Sequence, residues 1–275
     1  MPNLATAVLM TAIIIFLLIA CVFVYLTTPN KWRIYDLPAV YCHRGYFDNE
    51  EIPENSLPAF EKSAEKGLAI ELDVRPTRDR EIVVFHDSNI SRMCGADKRV
   101  WDLSFAELSE YRLLGTEERI PLFSEVLKVC GGVPIYCEVK TEGAEVEPEF
   151  LRKVYELIKS YDGQIVVVSF SPFVLKWFRE NHPELIRGQL SAGAKHLGGT
   201  GRAVAFYLSN LMTNFMAKPD FVSYRFDDKS LGLFMNKIYG TRLVAWTVRS
   251  MEDVETAAMA GYSTFVGEHF DMTEV

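Results

Sequence analysis

The stretch Ala69-Ile70-Glu71-Leu72-Asp73-Val74, with Ile82-Val83-Val84-Phe85-His86-Asp87 following after seven residues, decides how the chain is read. The first run is apolar except for two carboxylates two positions apart. In an extended strand such positions share a face, so Glu71 and Asp73 point the same way. The second run is also strand-like, but the link at 75–81 is too short for a parallel return, which needs a dozen or more residues. The link is therefore expected to be a hairpin turn. Residues 82–86 become an antiparallel extension on the rim of a sheet, and 87–121 an inserted loop and helix.

Working outward, apolar β-branched runs recur at 40–43, 135–139, 165–170, 187–190, 221–224, 243–248 and 263–266. Between them lie stretches of helical period at 56–66, 104–114, 122–129, 148–161, 172–180, 204–216, 230–239 and 251–260. Strands alternating with helices argue for a closed parallel sheet. The body at 31–275 also has the size of one (β/α)8 TIM barrel, about 250 residues. In the 204–216 helix, Val204, Leu208, Leu211, Met212 and Phe215 form the expected core face. Ser209, Asn210, Thr213 and Asn214 form the outer face, and a barrel helix is weighed there against one resting on a bilayer.

Ahead of the body, residues 1–30 contain no charged side chain, and from Leu4 to Leu26 only Thr6 and Thr11 are not apolar. At 1.5 Å per residue that run covers roughly 34 Å, enough for a hydrocarbon core of about 30 Å. A cleaved signal peptide needs a basic leader and a shorter apolar core. Leu18-Ile19-Ala20-Cys21 resembles a lipoprotein cleavage box, but the apolar run continues past it. The expectation is one N-terminal transmembrane helix, with 1–30 as anchor. Lys31 and Arg33 on its C-terminal side place the body in the cytoplasm by the positive-inside rule. The 29 Lys+Arg against 37 Asp+Glu give a net charge of −8, which excludes an extended nucleic-acid surface. Cys42 and Cys137 lie within strand-like runs, as buried thiols do.

In such a barrel the active site forms where strands end. His43-Arg44-Gly45 closes the first strand, His86-Asp87 the rim strand, and Cys137-Glu138-Val139-Lys140 the next barrel strand. Glu71, Asp73 and Glu138 converging there would repel one another, and a hard divalent cation, Mg2+ or Ca2+, resolves the repulsion. Two histidines beside such a cation suit acid–base chemistry on a phosphate ester, with Arg44 and Lys140 on the remaining phosphate oxygens. Trp246 offers an apolar wall.

Six segments in order, His43-Arg44-Gly45, Pro53-Glu54-Asn55-Ser56, Glu71-Leu72-Asp73-Val74, Val83-Val84-Phe85-His86-Asp87, Glu138-Val139-Lys140 and Trp246-Thr247-Val248, resemble those of the glycerophosphodiester phosphodiesterases, here in a membrane-anchored, bacterial-type form. The resemblance implies a TIM barrel and metal-dependent hydrolysis of glycerophosphodiesters to glycerol 3-phosphate and an alcohol. A lysophospholipase D-like activity would give a lysophosphatidic acid instead. It also implies His43 and His86 as the acid–base pair, Glu71, Asp73 and Glu138 as metal ligands, and a substrate hydroxyl as a possible internal nucleophile. Two places depart from the family pattern. Gly267-Glu268-His269-Phe270-Asp271 stands where a Thr-Asp pair and a Pro are usual, and Arg249 where an Asn is commoner.

Blander readings stand beside these. The histidines could be core residues, the carboxylates partners of Arg44, Arg75 or Lys140, and Asn55 or Ser56 a helix cap. Gly198-Gly199-Thr200-Gly201-Arg202 lacks phosphate-loop spacing and reads as a loop. His182, His196 and His269 carry no assignment. The alternatives in function are a catalytically silent, membrane-tethered binding barrel, and a phospholipase of the phosphatidylinositol- or sphingomyelin-cleaving type. Oligomeric state is open.

Overall fold

A computed structural model describes residues 4–30, 35–141 and 146–275. Eight parallel strands run in the order β1 (Val40–Cys42), β9 (Thr264–Gly267), β8 (Leu243–Val248), β7 (Phe221–Arg225), β6 (Ile186–Ser191), β5 (Ile165–Ser169), β4 (Ile135–Val139) and β2 (Ala69–Pro76). β1 pairs with both β9 and β2, which closes the sheet into the expected barrel. The short β3 (Ile82–Val84) pairs antiparallel with the end of β2, as the seven-residue link requires.

The helices are α1 (Leu4–Thr27), α2 (Leu57–Glu65), α3 (Ser91–Cys94), α4 (Phe105–Leu108), α5 (Phe123–Val129), α6 (Pro148–Lys159), α7 (Pro172–Asn181), α8 (Arg202–Ser209), α9 (Asn214–Ala217), α10 (Leu231–Ile238) and α11 (Met251–Met259). Ser56, Ser104, Ser230 and Ser250 cap α2, α4, α10 and α11 by accepting a backbone N–H.

Strand alternation sorts the side chains that matter. Ile70, Leu72 and Val74 of β2, with Ile135, Cys137 and Val139 of β4, pack outward against the helices. Ala69, Tyr136 and Tyr41 pack inside the barrel. Glu71, Asp73 and Glu138 share the inward parity, so the register that builds the core also delivers three carboxylates to the barrel axis. All five cysteines are free thiols, with Cys42, Cys130 and Cys137 buried.

Residues 88–120 fold over a small core of their own with Val83 and Phe85, in which Ile90, Met93, Val100, Leu103, Leu108 and Leu113 are buried. The helix expected at 104–114 covers only α4, and Leu114 takes a left-handed φ of 51°.

The helix expected at 204–216 is broken into α8 and α9, with Leu211 at φ 55° between them; of its expected core face Leu211 is buried and Leu208, Met212 and Phe215 are half-buried, but Val204 is exposed. Ser209, Asn210 and Asn214 are buried while Val204, Phe206 and Tyr207 are exposed. For Asn214 the cause lies in α1. Its C-terminal end is buried, and the Thr27 carbonyl has no partner within the helix. Asn214 Nδ2 at 3.0 Å and Asn236 Nδ2 at 3.3 Å donate to it.

α1 is long and apolar enough to cross a membrane. Its last two turns meet the body: Phe23, Leu26 and Thr27 are partly or fully buried there, and the Tyr25 ring meets Phe215 at 5.8 Å. Thr27 Oγ1 pairs with Tyr239 Oη at 3.0 Å, Lys218 Nζ donates to Thr28 O at 3.1 Å, and Asn30 Nδ2 donates to Asp220 Oδ1 at 2.8 Å. The residues on which the orientation argument rests, Lys31 and Arg33, lie outside the described residues.

Candidate active site

β1 ends in a tight turn at His43-Arg44-Gly45, where Arg44 has φ 56° and Gly45 φ 83°. A Cβ at Gly45 would sit 2.9 Å from the backbone of Ala59 in α2, so only glycine lets the turn seat on that helix. The turn aims the Arg44 amide at Glu71, donating to Oε2 at 2.9 Å.

Glu71, Asp73 and Glu138 each offer an oxygen within 4.8 Å of the others, and all three are buried. Asp73 and Glu138 are cross-strand partners of β2 and β4. Lys140 Nζ contacts Glu138 Oε1 at 2.7 Å and Asp73 Oδ1 at 3.1 Å. Asn55 Nδ2 donates to Asp73 Oδ2 at 3.0 Å, and Arg44 Nε lies 3.7 Å from the same oxygen. The helix cap falls to Ser56, and the Asn55 side chain goes to the carboxylate instead.

These environments separate the acids. Burial, then Asp73 and Glu138, push Glu71 well above the usual carboxylate range. Burial also opposes ionisation of Asp73, but Lys140, His86 and Arg44 outweigh it and hold that carboxyl well down. Burial would discharge Lys140, and the same two acids keep it charged. A buried, oxygen-only donor set fits a hard cation, because oxygens across an ion at 2.3–2.6 Å lie up to about 5 Å apart. The three residues that could hold it are those expected.

Both histidines have Nδ1 on a carboxylate. His43 Nδ1 pairs with Glu268, whose other oxygen accepts from Arg249 Nε at 2.8 Å. His86 Nδ1 pairs with Asp87 Oδ1 at 2.7 Å, Asp87 accepts from Arg92 Nε at 2.7 Å, and Arg75 holds the His86 carbonyl at 2.8 and 3.0 Å. Burial lowers the His43 pKa, and Glu268 opposes this only in part. Burial resists ionisation of Glu268 as well, yet His43 and Arg249 bring it to about 2.

The mouth holds a cavity of about 400 Å3 lined by His43, His86, Arg44, Glu71, Glu138, Lys140 and Trp246, with Phe170 and Arg225 on its far wall. Asp73 lies just beneath it. Every expected site residue is thus brought together, although Arg44 and Lys140 are already engaged: Arg44 Nη1 donates to Glu54 at 2.5 Å. Glu54 also takes Arg92 at 2.7 and 2.9 Å; burial works against its charge, but Arg92 and Arg44 carry it down to about 2. Trp246 meets Phe170 edge-on at 5.6 Å. Sequence reasoning missed Glu268, Asp87 and Arg92 as partners. The departure at 267–271 was the one available signal, since Glu268 is the acid standing there. His196 is tied to Asp228 at 2.7 Å, outside the cavity.

Paired imidazoles braced by carboxylates above an acidic cluster, in a barrel mouth, define an enzyme of the phosphoric diester hydrolase class. Comparison with known proteins narrows this. Residues 43–272 match the model of the glycerophosphoryl diester phosphodiesterase family, and the chain belongs to that family. It is 27% identical over 234 residues to a glycerophosphodiester phosphodiesterase of Caldanaerobacter subterraneus subsp. tengcongensis, covering 81% of this chain and 90% of that one. It is 32% identical over 144 residues to the rat lysophospholipase D GDPD1, a match spanning 46% of this chain and 45% of that protein. In structure it resembles an Oleispira antarctica phosphodiesterase solved with the product sn-glycerol-3-phosphate, with TM-score 0.68, 22% identity and coverage of 84% and 93%.

Proposed function

We propose that this chain hydrolyses glycerophosphodiesters by a two-histidine acid–base mechanism, with lysophospholipids as the substrates its anchor brings within reach. The observation that carries the reading is the pair of histidines in one cavity, each with Nδ1 committed to a carboxylate. A carboxylate acceptor places the proton on Nδ1 and leaves Nε2 for the substrate.

Glu71, Asp73 and Glu138 would hold the cation, Mg2+ or Ca2+, which would supply Lewis-acid chemistry to the phosphate when bound. His43, kept neutral by burial, takes the proton of the attacking hydroxyl as its oxygen bonds to phosphorus. The bond from phosphorus to the alcohol oxygen breaks, and His86, nearer the rim, gives that oxygen its proton; where the attacking hydroxyl is the substrate's own, water then opens the cyclic phosphate with the two histidines exchanging roles, which restores both. Lys140 has three donors and two carboxylate contacts, so one N–H remains for phosphate, and Arg44 keeps donors beyond those on Glu54 and Asp73. Trp246 and Phe170 make an apolar wall for the glycerol or the acyl chain.

We read residues 1–30 as a membrane anchor, 31–275 as the catalytic body with 87–121 as its inserted rim segment, and the body as cytoplasmic from Lys31 and Arg33. The test is choline and glycerol 3-phosphate release from glycerophosphocholine, and choline release from lysophosphatidylcholine. It is run with Mg2+, Ca2+, Mn2+ or chelator, beside His43→Ala and Glu71→Ala. Metal-dependent release lost in both variants supports the reading. No release under any condition overturns it in favour of a binding barrel.

A further inference from the structure

The exposed apolar residues of α8 make a surface the catalytic reading does not use. Val204, Phe206 and Tyr207 are about half exposed, whereas the polar Ser209 and Asn210 are buried. A barrel helix in water does the opposite. α10 repeats the pattern, with Leu231, Phe234 and Ile238 on one face and 57–62% exposed. The two helices are in contact: the Gly232 amide donates to Asn210 Oδ1 at 3.4 Å, and a Cβ at Gly232 would lie 1.7 Å from the Asn210 carbonyl oxygen. Their exposed apolar residues thus stand on two neighbouring helices of the barrel's outer surface.

This surface joins two features already described. At one end, Ile238 precedes Tyr239, whose hydroxyl pairs with Thr27 of the membrane-spanning helix. At the other, Ala205 and Leu208 of α8 pack with Leu197 onto Phe170 and Trp246, the apolar wall of the catalytic cavity. The charge around it runs against the whole: residues 193–242 hold seven Lys+Arg and three Asp, in a chain of net charge −8. Asp220 is buried, and Asp227 and Asp228 are paired with Arg225, His196 and Lys195, which leaves Arg202, Lys229 and Lys237 as exposed cations at and beside α8 and α10. An exposed apolar face rimmed by basic residues matches an anionic bilayer surface.

We infer that α8 and α10 lie in the headgroup layer of an anionic bilayer, so that the barrel rests on its side with its mouth opening along the lipid surface. This rests on reading α1 as an anchor. A lysolipid chain then passes from the bilayer along α8 to Phe170 and Trp246 while its phosphate enters between the histidines, without crossing water.

The test uses the full chain with Cys21→Ala and Cys94→Ser, the remaining cysteines being buried. Phe206→Cys, Phe234→Cys and, on the distant α6, Glu156→Cys each carry an environment-sensitive fluorophore. In vesicles of phosphatidylcholine and phosphatidylglycerol, brominated acyl chains are expected to quench labels at 206 and 234 severalfold more than at 156, and more strongly as phosphatidylglycerol increases. Equal quenching at all three sites in protein that floats with the vesicles overturns the inference. So does a blue shift at 206 and 234 without lipid, which would mean that a second copy covers the patch. Protein that does not float overturns the anchor reading, and this inference with it, while the phosphodiesterase assay stands apart. In addition, Phe206→Asp with Phe234→Asp should lower lysophosphatidylcholine turnover in vesicles at least about tenfold and leave glycerophosphocholine turnover unchanged. An equal fall on both substrates counts against it.

Discussion

Replacing Glu71 with Gln should make the metal-free protein more stable while abolishing its activity. Two like charges 4.8 Å apart at an effective dielectric of 20 repel by about 3.5 kcal/mol. Lys140 and Arg44 compensate Asp73 and Glu138 directly, whereas Glu71 has the Arg44 amide, a bond that a glutamine oxygen can also accept. After that partial compensation, a net gain of about 1–3 kcal/mol is expected from removing an acid that must either stay charged against its neighbours or take up a proton. For a chain this size that corresponds to roughly 2–10 °C in Tm. The assay is thermal unfolding of the full chain in detergent, in chelator and in Mg2+ or Ca2+. The wild type should gain about 2.7 kcal/mol at a hundredfold excess of cation over its Kd, and the variant far less. A variant less stable than wild type in chelator, or cation stabilisation of both proteins alike, would refute the charge argument.

Glu268→Gln keeps the bulk at His43 Nδ1 but removes the anion, and kcat should fall about 10–100-fold with KM nearly unchanged; a loss confined to KM would show that Glu268 does not act through His43. Glu54 and Glu268 both sit at about 2 in the folded chain against an ordinary 4.5. Depressed values mean their stabilisation is complete above 4.5 and is lost as pH falls toward 2, so denaturant midpoints should decline across that window and decline less in Glu54→Gln. Gly45→Ala meets both a left-handed φ of 83° and the Ala59 backbone at 2.9 Å, and should lose at least about 1–3 kcal/mol by chemical denaturation, with activity falling as the Arg44 amide leaves Glu71.

The barrel is readable from local pattern because each strand declares itself by β-branched residues and each inward position by parity with its neighbours. Glu71, Asp73 and Glu138 follow from that parity alone, and the antiparallel β3 from the length of one link. What pattern could not supply depends on distant chain meeting. Glu268 reaches His43 across 225 residues, and nothing local distinguishes it from a surface acid. Asn55 was read as a cap because a cap is a local event, whereas its partner Asp73 is not. The expected 204–216 helix put Asn214 on its outer face because periodicity cannot see a partner 187 residues away; the Thr27 carbonyl draws Asn214 in.

The two histidines stand on different pieces of the molecule. His43 is carried by a barrel strand. His86 follows the rim strand β3, whose Ile82 and Val84 pack into the core around the barrel while Val83 and Phe85 pack with residues 88–120, the segment that supplies Arg92 to Asp87. Sub-global opening of a segment with its own small core has a lower free energy than global melting. On warming, residues 88–120 therefore open first, and an intact barrel is left with His86 in place but its Asp87 without Arg92.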